Sequence, residues 1–271
     1  MSWRAVARND VRGALAARGV WVLTAVLLAA LAGVGYVVPR LGGEGFDDYL
    51  GLLAPAAGAL LPLVGLLLGY RAVVAARASG TAALALSLPN SRLDLALGKF
   101  LARAAVVAGS LALAAVVAGG YLAVEYATFA PARYLLFVLA MLGYTICFLA
   151  LAMGLSMAVD SQRRVVAGAF GAYVALSMLW STLVDVLALV LFRFRAVALA
   201  EPPSWVTFAK FAEPGTAFSY LVATELDGGV APAAVAGVEP FVTAGNAVVV
   251  LLAWIVLPLV LGYLRFRDSE L

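Results

Sequence analysis

The sequence predicts an all-α integral membrane protein with six transmembrane helices, and three observations carry that fold class. Apolar residues make up 65% of the chain and charged residues 12%, against roughly 45–50% and ~25% in soluble domains. The apolar residues fall in blocks long enough to cross hydrocarbon, which takes about 20 residues. Lys and Arg collect in alternate connections between those blocks, the bias that orients membrane proteins. A chain with mean hydropathy +1.05 cannot cover a water-facing surface. Its formal charge of +3 is a topology signal rather than a nucleic-acid footprint, because the basic residues sit in short flanks.

Residues 1–19 read as an N-terminal interfacial helix. On a helical projection Trp3, Val6, Ala7, Ala14 and Ala17 share one arc and Arg4, Arg8 and Arg12 the other, as a helix lying in the membrane surface requires. Asp10 falls on the apolar arc and breaks the pattern; a basic tail that only fixes topology is the plainer alternative. The block that follows exceeds the ~7–15 apolar residues of a signal peptide, and Val38-Pro39-Arg40 is no small-residue cleavage site. It is the first span of a transmembrane domain over residues 20–271, with spans expected at about 20–38, 52–76, 104–124, 134–158, 165–192 and 241–263.

Orientation follows from the flanks. Arg4, Arg8, Arg12, Arg18, Arg71, Arg77, Arg92, Lys99, Arg103, Arg163, Arg164, Arg265 and Arg267 lie on one side; Arg40, Arg133, Arg193, Arg195 and Lys210 lie on the other. Both termini are expected in the cytoplasm of a cell whose plasma (inner) membrane holds the chain.

The second span is interrupted by Pro55, Gly58, Pro62, Gly65 and Gly69. Each internal proline removes a backbone hydrogen bond and favours a kink, and small residues let helices approach closely in lipid. Pro55, Pro62, Gly65 and Gly69 are therefore candidates for a pathway or gate, with intramolecular packing the blander reading of each glycine. Asp185 is the one acid well inside an apolar block, and it joins them as a candidate substrate contact. Its distance from Arg164 also fits a partly hydrated acid near the outer surface. Tyr144, Thr145, Ser156, Ser177, Ser181 and Asn246 read as packing hydrogen bonds.

The connection from Arg71 to Arg103 is too long for a turn and too patterned for a linker. Ser79-Gly80 breaks the second helix, residues 81–88 form two short turns bearing Leu84 and Leu88, and Pro89-Asn90 reverses the chain. Ser91-Arg92-Leu93-Asp94 is a capping-box spacing that starts the next helix. The result is an elbow whose apolar limb needs a partner, either the bilayer interface or another protein.

These residues resemble the first cytoplasmic loop of ABC-2 type permeases. The resemblance rests on Leu61-Pro62-Leu63-Val64, Gly69-Tyr70-Arg71, Ser79-Gly80-Thr81, Leu86-Ser87-Leu88-Pro89-Asn90-Ser91-Arg92 and Leu97-Gly98-Lys99. It is closest in kind to the archaeal and bacterial branch that includes the nitrous-oxide-reductase maturation permeases. The resemblance implies a coupling helix over Thr81 to Pro89 that contacts a separate ABC ATP-binding subunit. Arg77, Gly80, Thr81, Leu84, Leu88, Pro89, Arg92 and Lys99 are the coupling residues it assigns. Family members carry acids around this arginine where Ala76 and Ala78 stand here, and an Asn-Pro after the fifth span appears as Glu213-Pro214.

The external segment from Arg193 to Pro240 carries Pro202-Pro203-Ser204-Trp205, Phe208, Phe211 and Phe218. Short amphipathic helices at or dipping into the outer interface are expected there. In similar family members re-entrant helices in this segment cap the outer end of the pathway; an ordinary aromatic loop is the alternative.

The resemblance implies a permease half, working as a homodimer or heterodimer with a second permease subunit in membrane lipid and exporting its substrate. ATP and Mg2+ belong to the partner, since no GxxxxGK[ST] phosphate loop exists here and Gly98-Lys99 is followed by Phe100. No catalytic site is expected: histidine is absent and Cys147 is alone, which excludes Ser-His and Cys-His chemistry. A scaffold or regulator that docks through the same loop without transporting is the alternative function. An integral-membrane enzyme fits least, for want of His and of paired acids in a span.

Overall fold

The structure, a computed structural model, describes residues 3–78, 91–194, 202–225 and 239–268. Every regular element among the described residues is helical, and six helical stretches are long and apolar enough to cross a membrane. In chain order the helices are α1 (Trp3–Ala16), α2 (Arg18–Val37), α3 (Phe46–Gly69), α4 (Val74–Ala78), α5 (Arg92–Glu125), α6 (Pro131–Ala158), α7 (Gln162–Tyr173), α8 (Trp180–Leu191), α9 (Ser204–Phe211), α10 (Pro214–Glu225) and α11 (Ala244–Arg267). Between α7 and α8 the fifth span passes through one π-helical segment, Val174–Leu179.

Several helices outrun their apolar blocks because polar residues cap them. Asp48 in the first turn of α3 reaches back to accept from the Gly45 N–H at 3.0 Å, so the helix starts before the acids rather than after them. At α5 the reach-back that Ser-x-x-Asp spacing predicts is present. Ser91 Oγ accepts from the Asp94 N–H at 3.0 Å and the Asp94 carboxylate accepts from the Ser91 N–H at 3.1 Å. Helix α5 therefore begins at Arg92, well before the apolar run.

Helices α3, α6 and α11 run in one direction and α2, α5 and α7–α8 in the other. At the end away from the termini, Tyr126 Oη donates to the Gly35 C=O at 2.9 Å, Thr128 Oγ1 accepts from the Phe46 N–H at 3.0 Å and Arg133 pairs with Asp47 at 2.7 Å. At the termini end, the Arg92 guanidinium donates to the last carbonyls of α11, Phe266 C=O at 2.7 Å and Arg267 C=O at 2.9 Å. A cation at a helix C-terminus satisfies otherwise orphaned acceptors and the dipole together.

Helix α6 is the central span, 56% buried over its apolar window against 17% for the fifth and sixth spans. Three glycine contacts fix its neighbours, α3 and α11. A Cβ on Gly65 would lie 2.4 Å from the Thr145 C=O and one on Gly69 2.7 Å from Ala152 Cβ, while one on Gly154 would lie 2.3 Å from the Pro258 C=O. Without a hydrophobic drive between helices in lipid, such close backbone approach is what holds them together.

Where α3 ends, the chain kinks through Arg71 to Val73 before α4, freeing amides inside the bundle. Ser156 Oγ, fully buried, accepts from both the Val73 and Val74 N–H groups at 3.0 Å. The α3 carbonyl of Leu68 is taken by the Arg103 guanidinium. Ser156→Ala leaves two buried amides unpartnered, so we expect a loss of about 1–3 kcal/mol, read as a lowered midpoint in thermal unfolding of the purified protein. An unchanged midpoint would contradict this role.

Helix α1 lies along the first turns of α5. Its Trp3 N–H donates to Asp94 at 3.1 Å, Val6 covers Gly98 and Asp10 pairs with Lys99 at 3.2 Å. The acid that breaks the apolar arc thus has a structural partner on α5, while Arg4, Arg8 and Arg12 remain exposed.

Candidate functional site

The site starts from the prolines of α3. Pro62 has no N–H to give the Gly58 carbonyl one turn earlier, and Tyr144 of α6 supplies the missing donor, its Oη donating to the Gly58 C=O at 3.1 Å. Tyr173, at the entrance to the π-helical segment, donates likewise to the Ala59 C=O at 3.1 Å. Two phenols therefore bond the stretch of α3 just before Pro62, and a cavity of about 370 Å³ lies beside it. Its walls are Pro55 and Gly58 of α3, Tyr144, the π-segment face with Tyr173, Ser177, Trp180 and Ser181, and Glu213, Thr216 and Ser219 at the base of α10.

The helical pair α9 and α10 reaches the cavity because indoles catch the end of α9. Trp180 Nε1 donates to the Ala209 C=O at 2.8 Å and Trp254 Nε1 to the Ala212 C=O at 2.8 Å. These satisfy last-turn carbonyls that cannot stay bare in lipid. Stacking of Phe218 on Tyr144, with centroids 4.7 Å apart and planes at 9°, seats α10 on α6. Gly58, Tyr144, Trp180 and Trp254 each lie about 10–13 residues inside the ends of their spans, or roughly 15–20 Å at 1.5 Å per residue. The tip of the pair thus packs midway along these candidate spans rather than at their ends.

Glu213 occupies that tip and is 5% exposed. It is the N-cap of α10, with Pro214 at the first helical position. Its carboxylate accepts from the Gly215 N–H at 2.6 Å, the Thr216 N–H at 2.6 Å and Thr216 Oγ1 at 2.9 Å. A glutamate does here what Asn does in an Asn-Pro, capping a helix whose first residue needs no N–H partner.

The residues singled out in the sequence fall in different places. Pro55 lines the cavity and Pro62 shapes it, whereas Gly65 and Gly69 are packed against α6 away from it. Asp185 does not reach the cavity: it pairs with Lys210 of α9 at 2.6 Å and fastens the helical pair to the fifth span. A partner on a neighbouring element is the usual resolution of an acid at membrane depth. Among the coupling residues, Arg92 caps α11 and Lys99 pairs with Asp10. Arg77 lies in α4, and Gly80, Thr81, Leu84, Leu88 and Pro89 lie outside the described residues. Sequence reasoning passed over Tyr173, Trp180, Trp254 and Thr216. The usable signal was the Glu-Pro start of α10 and two tryptophans placed mid-span rather than at span ends.

A family model described as ABC-2 family transporter protein matches residues 4–271, and the chain belongs to that family. It is a multi-pass membrane permease of the ABC transporter class. Among curated proteins it is 28% identical to the probable ABC transporter permease protein NosY of Stutzerimonas stutzeri, over 97% of this chain and 96% of that one. It is 36% identical over 122 residues to the protein of the same name from Pseudomonas aeruginosa, a stretch that is 40% of this chain and 44% of that relative.

Proposed function

We propose that the chain is the transport half of an ATP-driven exporter, powered by a separate ABC ATP-binding subunit that docks on the elbow between Arg71 and Arg103. The observation that carries this reading is the polar cavity at mid-depth in an otherwise apolar bundle, in a chain matched from end to end by a transporter family. The cavity is bounded on the side away from the termini by the α9–α10 pair, as a closed outer gate would be. ATP and Mg2+ bind the partner, and a second permease subunit completes the assembly in the plasma membrane.

Export requires the elbow and both termini to face the cytoplasm. Single cysteines at Ser91 and Gln162, in a background with Cys147 replaced, are expected to react only with reagents on the cytoplasmic side. One at Glu44 is expected to react only from outside; Gly43 is unsuitable because its Cβ would meet Val38 at 2.6 Å. The reverse labelling would overturn the orientation and the direction of transport with it. The transport reading itself is tested by substrate-independent ATP hydrolysis of the reconstituted pair. A chain that binds the ATP-binding subunit without altering its hydrolysis is a docking scaffold.

A further inference from the structure

We propose that the mid-depth cavity is a binding site for a small organic cation, a quaternary or protonated amine with a compact alkyl body. The inference deepens the transport reading, on which it rests for the cavity's role.

Charge is the first argument. Glu213 is the only charged residue among the described lining residues, and no Lys or Arg among the described residues pairs with it. The nearest cation in sequence, Lys210, is committed to Asp185 at 2.6 Å. A buried carboxylate without a countercharge is costly, and the space it borders is the place where a countercharge fits. Donors from the first turn of α10 stabilise the anion, since N–H groups and the helix dipole both favour negative charge there.

The same arrangement rejects anions. A helix N-terminus at the membrane midplane ordinarily offers its free amides to an anionic group. Here the Gly215 and Thr216 amides are each 2.6 Å from the chain's own carboxylate, so the anion position is filled from within. An anionic ligand would meet a like charge and no free donor at that end.

The walls fit the other half of a cationic ligand. Tyr173 and Trp180 are half-buried rather than sealed, and ring faces attract a desolvated cation electrostatically. The π-helical segment between them brings their rings and the Ser177 and Ser181 hydroxyls to one cavity wall, and such segments recur at functional sites. A volume of about 370 Å³ lies at the small end of ligand pockets, ~300–1,000 Å³.

The test is equilibrium binding to the purified full-length chain in lipid nanodiscs, without ATP or partner. Tetraethylammonium is the probe, 3,3-dimethylbutanol the neutral control and isethionate the anionic one. The readout is the saturable change in tryptophan emission that disappears in Trp180→Phe. Tetraethylammonium is expected to bind, with isethionate neither binding nor competing and the neutral alcohol at least tenfold weaker. Glu213→Asn keeps the cap of α10 and removes the charge, and should weaken the cation at least tenfold while the protein stays folded. Should that variant misfold, Ser219→Lys, at an exposed lining position, should abolish the same binding by placing a cation in the cavity. Undiminished binding in the folded Glu213 variant, or in Ser219→Lys, overturns the proposal, as does preferential binding of isethionate. None of these outcomes depends on the ATP-binding subunit, so failure here leaves the transport reading to its own test.

Discussion

Gly154→Leu is expected to yield no folded permease. A Cβ at Gly154 would stand 2.3 Å from the Pro258 carbonyl oxygen and 2.8 Å from its carbon, and the reciprocal Cβ at Gly262 would stand 2.4 Å from the Gly154 oxygen. The obstacle is backbone on both sides, so no rotamer change relieves it and the α6–α11 crossing must separate. Overpacking that side chains can absorb costs about 1–3 kcal/mol; forcing two helices apart in lipid, where close contact is their main attraction, belongs to the exceptional class above ~4 kcal/mol. Gly171→Leu is the control, because nothing lies within 4 Å of its added Cβ. Size-exclusion profiles after extraction should show loss of the Gly154 variant and a normal peak for Gly171→Leu. Two normal peaks would mean that α6 and α11 do not meet at these glycines.

Replacing Leu84 or Leu88 with Asp is expected to abolish copurification of the ATP-binding subunit while leaving the chain in the membrane. The sequence predicts two short turns there, which are marginal alone, and the proposed docking gives them a partner. The described residues on either side are fixed: Ser156 accepts from the amides of Val73 and Val74, and the Ser91–Asp94 cap starts α5. An interface anchor typically contributes about 2 kcal/mol or more, roughly a 30-fold change in affinity, and a buried uncompensated Asp adds to the loss. Retained binding in both variants would make the limb a bilayer-resting element.

Fold class and span number were legible in the sequence because length and apolarity are local properties. The capped start of α5 was legible too, since a capping box is four consecutive residues. What could not be read was partnership across the bundle. Asp10 looked like a flaw in an amphipathic pattern until Lys99, far along the chain, supplied its countercharge. Asp185 read as a lone acid because Lys210 sits beyond the end of its span. Gly65 and Gly69 in α3 are indistinguishable in sequence from Gly58, yet the first two touch backbone of α6 and the third lines a cavity. The cavity itself needs a carbonyl freed by Pro62, a phenol from α6 and the tip of a helical pair, three elements that no local pattern brings together.

The proposed dependence of this permease on a separate ATP-binding subunit is open to direct measurement. Its most direct test is the Mg-ATP hydrolysis rate of that subunit, co-expressed from the same transporter, measured alone and after reconstitution with this chain in liposomes. A stable complex with a raised hydrolysis rate, both lost in Leu84→Asp, is the predicted result. Equal rates with and without the chain, in preparations where the chain is folded by its size-exclusion profile, would contradict it.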